Sequence, residues 1–210
     1  MTLHYRSLIP VLSLLLSVAS LEAAPPETLA RIDISGGGKD QVDLELVGVS
    51  GEGKATYADW MPADQQKKNI IGNFPATHEW QEASITIKPA KSGTISFSLM
   101  GPYIIEEAAT KKVRCVQMDF DDVQGDSAVI KNGTFEKKDN EGRPVYWYTV
   151  DVPKSNPPVT DANRAQVLRD GAKEGEYFLR SWHNSRIGQS VFVEAGTPLT
   201  IKFFYRLPPQ

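Results

Sequence analysis

Alternation with a period of two is the feature that most limits the folds open to this chain. Ile85 and Ile87 alternate with Thr86 and Lys88 until Pro89 breaks the run. Beyond the turn at Ser92-Gly93, Ile95, Phe97 and Leu99 alternate with Thr94, Ser96 and Ser98. Val116, Met118 and Phe120 alternate with Gln117 and Asp119. Val191 and Val193 precede the turn Ala195-Gly196, and Leu199, Ile201, Phe203 and Tyr205 follow it. Ile32 to Ile34 and Val42 to Leu46 fit the same pattern. Successive side chains of a strand point to opposite faces, so each segment has one face to bury. Gly and Pro bound the segments, as antiparallel strands require. About nine or ten such strands at short spacing predict an all-β, single-domain β-sandwich or barrel. Trp80 to Leu99 and Gln189 to Arg206 are expected as two hairpins, with Ile95, Phe97, Val191 and Ile201 facing one core.

Helical signals are weak. Only Asp59 to Asn69 and Ala162 to Leu168 could hold a helical turn or two, the second capped at Thr160 or Asp161. Pro153, Pro157 and Pro158 keep their segment out of a sheet centre, so a long surface loop is expected there.

The N-terminus reads as an export signal. Arg6 gives a positive start, Leu8 to Leu21 form an apolar stretch broken by Pro10 and serines, and Ala23 and Ala24 precede Pro25 and Pro26. That order describes a secretory signal peptide over residues 1–23, cut after Ala23, leaving 24–210 as the mature domain. The run is too short and broken for a spanning helix, which needs about 20 apolar residues. A secreted or periplasmic location follows. With 40% hydrophobic residues the chain can bury a core. Its net charge of -3 and scattered Lys and Arg give no basic face for nucleic acid. Cys115 is the only cysteine, so no internal disulfide forms. It is read as a small strand residue.

Two local patterns are more specific. One is Asn132-Gly133-Thr134-Phe135-Glu136, followed by Pro144 and Trp147. The other is Met118-Asp119-Phe120-Asp121-Asp122-Val123, a strand ending in paired acids. Together they resemble the opening and closing strands of jelly-roll carbohydrate-binding modules of the galactose-binding-like superfamily. Gln189 to Val193 with Gly196 and Phe203 to Arg206 resembles the central hairpin of such modules, and Trp80 to Leu99 the strands after it. The order is unusual, because the closing pattern precedes the opening one. A circularly permuted sandwich, its halves meeting near 124–132, is preferred over two incomplete tandem modules, each of which would lack half its strands.

The resemblance implies a structural calcium where opening and closing strands meet, with Glu136 and Asp121 or Asp122 as ligands. Calcium takes roughly six to eight oxygens, which adjoining strand ends can supply. The bland alternative is that these acids are solvated. A paired-carboxylate glycosidase using Asp119, Asp121 and Glu136 is a third reading. Trp60, Trp80, Trp147 and Trp182 are many rings for a small β-domain, and sugars stack on such rings, although strand aromatics more often pack in cores. Trp147 matches a structural position of the resembled modules. Trp182, His183, Asn184 and Arg186 combine a flat ring with donors and acceptors, so these four and Trp60 are the expected ligand contacts. No HExxH, CxxC or GxSxG pattern occurs, and Gly36-Gly37-Gly38 lacks phosphate-loop spacing. The reading is an exported, non-catalytic binding module for carbohydrate. The alternatives are a cell-envelope accessory protein that contacts another protein, and a hydrolase whose site leaves no motif.

Overall fold

A computed structural model describes residues 28–126 and 129–209; the expected signal peptide lies outside them. In chain order the elements are β1 (Leu29–Ser35), β2 (Leu44–Ser50), β3 (Lys54–Tyr57), α1 (Ala63–Gln66), β4 (Asn69–Pro75), β5 (Gln81–Pro89), β6 (Gly93–Met100), β7 (Ile105–Glu107) and β8 (Lys112–Val113). They continue with β9 (Met118–Gly125), β10 (Tyr148–Asp151), β11 (Gln166–Arg169), β12 (Tyr177–Ser181), β13 (Ser185–Val193) and β14 (Leu199–Arg206). Two six-stranded sheets carry the fold, ordered β10-β13-β6-β1-β4-β3 and β11-β12-β9-β14-β5-β2, with every pairing antiparallel. β7 and β8 form a small separate ribbon. The first sheet is called the front sheet below and the second the back sheet.

The two sheets pack face to face through the residues that alternation marked as apolar. Ile95, Phe97, Val191 and Ile201 all enter one buried cluster, as expected. Phe74 meets Phe203 edge-on at 5.3 Å between ring centres, and Tyr205 lies 5.9 Å from Phe74. Phe97, Phe135 and Trp147 form a second ring group, with centres 5.5 and 5.1 Å from Trp147. Truncating one such ring typically costs about 3–5 kcal/mol.

The expected hairpins are instead arches. β5 lies in the back sheet and β6 in the front sheet, and likewise β14 and β13. The chain therefore crosses between layers at 90–92 and again at 194–198. One arch stacks on the other, because β6 pairs with β13 and β5 with β14. The Ala195 amide donates to Ser92 Oγ and the Gly196 amide to the Pro89 carbonyl, pinning the two crossings together. Alternation cannot tell an arch from a hairpin, since both bury every second residue.

Other expectations need correction. α1 is a single turn inside Asp59 to Asn69, but Ala162 to Leu168 is a turn leading into β11 rather than a helix. Asn163 and Arg164 donate to the Thr160 carbonyl, closing one turn before the strand begins. Cys115 lies exposed in the loop before β9, outside any strand. The stretch Asn132–Glu136 is a loop, not a strand. Asn132 Nδ2 donates to the Lys137 and Val145 carbonyls while its Oδ1 accepts the Lys137 amide, so one side chain closes the loop. Phe135 then plugs the core with no exposure. Gly133 lets this loop touch β9, because a Cβ there would lie 1.8 Å from the Val123 carbonyl oxygen. The Pro153 to Pro158 segment is a loop, as expected.

Candidate functional site

The outward face of the front sheet forms a groove of about 720 Å³. Its floor follows from register. Asp33 stands between Ile71 and Ser98, Ser98 stands opposite Gly188, and Gly188 opposite Tyr148. The next row carries Asn69, Ser35, Ser96 and Ser190. Strand alternation that sends Ile32, Ile34, Phe97 and Leu99 into the core thus sends small hydroxyl groups outward. Gly188 lets Tyr148 lie across β13: a Cβ there would meet the Tyr148 hydroxyl at 2.8 Å and Ser98 Oγ at 2.9 Å.

Larger side chains wall the groove. Trp60, 66% exposed, lies on the loop before α1, and the Arg31 guanidinium sits 5.9 Å from its ring centre. Arg31 holds Asp33 in a two-point grip, Nε to Oδ1 at 2.7 Å and Nη2 to Oδ2 at 3.0 Å. Tyr103 stacks on His183 with ring centres 4.4 Å apart. Burial first, then the positive charges of Arg31 and Arg186, lowers the His183 pKa to about 4. The imidazole is therefore neutral near pH 7, and its buried Nδ1 has no hydrogen-bond partner among the described residues. Exposed aromatic faces, hydroxyls and a fixed ion pair can together bind a polar ligand that has flat apolar faces.

Of the expected contacts, Trp60, His183 and Arg186 meet in this groove. Trp182 and Asn184 do not line it. Trp182 has no exposed surface, so it packs in the interior and no ligand can stack on it. His183 and Asn184 form the tight turn between β12 and β13, closed by paired Trp182 and Ser185 backbone bonds of 3.0 and 3.1 Å. Adjacent turn residues point in different directions, which is why one sequence cluster splits between core and groove. Arg31, Asp33, Tyr103 and the serines were missed. Their signal was present in Arg31-Ile32-Asp33, where two opposite charges flank a buried strand residue.

The remaining tryptophans are structural. Trp147 Nε1 donates to the Lys131 and Asn132 carbonyls. Trp80, on the back sheet side, donates to the Gly171 carbonyl and lies under the Arg206 guanidinium at 4.2 Å.

The acids have other partners. Asp119 is buried and held by Arg180, Nε to Oδ1 at 2.6 Å and Nη2 to Oδ2 at 3.0 Å, with Arg206 at 3.2 Å. Asp121 Oδ1 accepts the Asp122 amide, and its Oδ2 accepts the amides of Lys173 and Glu174 at 2.7 and 3.0 Å. Glu136 Oε1 accepts the amides of Glu176 and Tyr177 at 2.8 and 3.0 Å. Asp122, at φ 45°, holds Gln124 Nε2. Burial, against these amide bonds, pushes the Asp121 carboxyl up to about 6. Asp121 and Glu136 thus grip one loop, 173–177, through N–H groups. Those donors occupy both Asp121 oxygens and Oε1 of Glu136 and present positive dipoles where a cation would sit, so the acids as placed do not fit a calcium cage. Among the described residues no three His, Cys, Asp or Glu side chains gather as a metal set. No helix among them is long and apolar enough to cross a membrane.

Compared with known proteins, the chain matches no family model, no curated protein and no solved structure.

Proposed function

We propose that this protein is an exported, non-catalytic carbohydrate-binding module, a permuted relative of the galactose-binding-like jelly rolls, whose ligand lies along the front-sheet groove. The observation that carries the reading is the groove's composition. Trp60, Tyr103 and Tyr148 expose aromatic surface beside a floor of serine hydroxyls and the Arg31–Asp33 pair. Sugars offer matching chemistry, apolar ring faces for the aromatics and hydroxyls for the polar groups. On the back sheet, by contrast, the Trp80 ring is covered by the Arg206 guanidinium.

The groove also favours binding over hydrolysis. Among the described residues Asp33 is the only carboxylate lining it, and it is already committed to Arg31. Glycosidases generally need two carboxyl groups across the bond. Affinity electrophoresis in gels containing soluble polysaccharides tests the proposal. Retardation of the wild type, lost in Trp60→Ala with an unchanged melting temperature, is expected. Equal mobility of both proteins in every polysaccharide gel would sink it.

A further inference from the structure

We infer that the groove takes a glycan bearing carboxylates, a uronic-acid saccharide, with Arg186 as the residue that recognises the acid. The inference rests on the groove being the saccharide site. Its lining holds two guanidinium groups and one carboxylate. Arg31 consumes that carboxylate with both of its contacts. Arg186 is different. Half-buried on β13, it makes no hydrogen bond and no ion pair with any described residue. Its cross-strand neighbour on β10 is the apolar Val150. The nearby His183 is neutral and cannot supply a counter-charge.

The groove therefore carries one uncompensated positive charge in a protein whose net charge is -3. A partly desolvated cation gains most from an anion that reaches it with paired oxygens. The guanidinium fork matches a carboxylate in this way. Beside Arg186, Ser96, Ser98 and Tyr148 line the groove, so a ring's hydroxyls can meet them while its acid reaches the fork. A neutral saccharide would satisfy the floor and the aromatic walls but leave Arg186 unpaired.

Affinity gels with polygalacturonate and alginate, each run beside its methyl ester, separate the possibilities; a neutral β-glucan and dextran sulfate complete the set. The acid form is expected to bind at least about tenfold more tightly than the ester, as loss of a charge-assisted hydrogen bond implies. Arg186→Gln should weaken binding of the acid form roughly ten- to hundredfold and weaken binding of the ester by far less, so that the preference for the acid is lost. Arg186→Lys should recover only part of the loss, because it keeps the charge and loses the fork. Circular dichroism and melting of each variant check that the fold is intact. Acid and ester bound alike, or binding confined to the neutral glucan, would overturn the inference and leave the saccharide groove standing. Dextran sulfate bound as tightly as the uronates and weakened equally by Arg186→Gln would overturn it in favour of charge attraction alone. Retention by no saccharide would remove the proposed function and the inference together.

Discussion

Trp60 and Trp182 show how one residue type takes two roles under tertiary control. Trp182 is wholly enclosed, so Trp182→Ala should destabilise the protein by about 3–5 kcal/mol, measured by denaturant unfolding. An unchanged unfolding midpoint would mean that the indole is not packed as described. Trp60→Ala should leave the midpoint unchanged, since 66% of its surface is already in water. His183 adds a pH dependence. Its pKa falls from 6.5 to about 4 in the folded state. The unfolded chain then binds more protons between those values, so this contribution is complete above 6.5 and is lost as pH falls towards 4. Asp121 works in the opposite sense, its raised pKa favouring the folded state at low pH and losing that advantage as pH rises towards 6. The informative quantity is therefore the difference between wild type and His183→Gln. Unfolding free energies measured from pH 4 to 7 should show the wild type losing more on the acid side, by on the order of 2 kcal/mol. Parallel pH curves for the two proteins would contradict the burial of an uncharged imidazole.

At the scale of elements, the acid in the middle of β9 and that in the Asn132 loop do the work of a clasp. Asp121 and Glu136 together accept four amides from the 173–177 loop. Glu136→Ala would hand two of those exposed N–H groups to water and should cost about 0.5–1.5 kcal/mol. The loop should also become an early site of proteolysis, which limited digestion followed by mass spectrometry can read. Calcium added after chelation should not raise the melting temperature of the wild type. A ligand confined to the folded state would raise it, by about 2.7 kcal/mol of stability at a hundredfold excess over Kd. A rise of that kind, abolished by Glu136→Gln, would show that the amides yield to the ion and would restore the metal role that the motif resemblance implies.

For the whole molecule, interleaving decides cooperativity. Each large sheet takes strands from before residue 126 and from after residue 129, and β9, in the first part, sits between β12 and β14 of the second. Neither part can close a core alone, because each would expose the apolar faces that the other covers. Unfolding should be a single transition, with far-ultraviolet circular dichroism and tryptophan fluorescence coinciding in urea. Two separated transitions would favour two modules. What the sequence determined by itself was local. Alternation marked the strands and their buried sides, and Ile95, Phe97, Val191 and Ile201 met in one core for that reason. Trp60, His183 and Arg186 were legible as polar or aromatic groups free of the strand pattern. Tertiary structure decided which strands share a sheet, and so turned two expected hairpins into stacked arches. It also placed Arg31 and Asp33 beside Trp60, which follows them in the chain by 29 and 27 positions, and drew Trp182 inward while its neighbour His183 faced the groove. The physical reason is that side-chain direction within a strand is set by local backbone geometry, whereas pairing partners and layer crossings are set by contacts between residues distant in the chain.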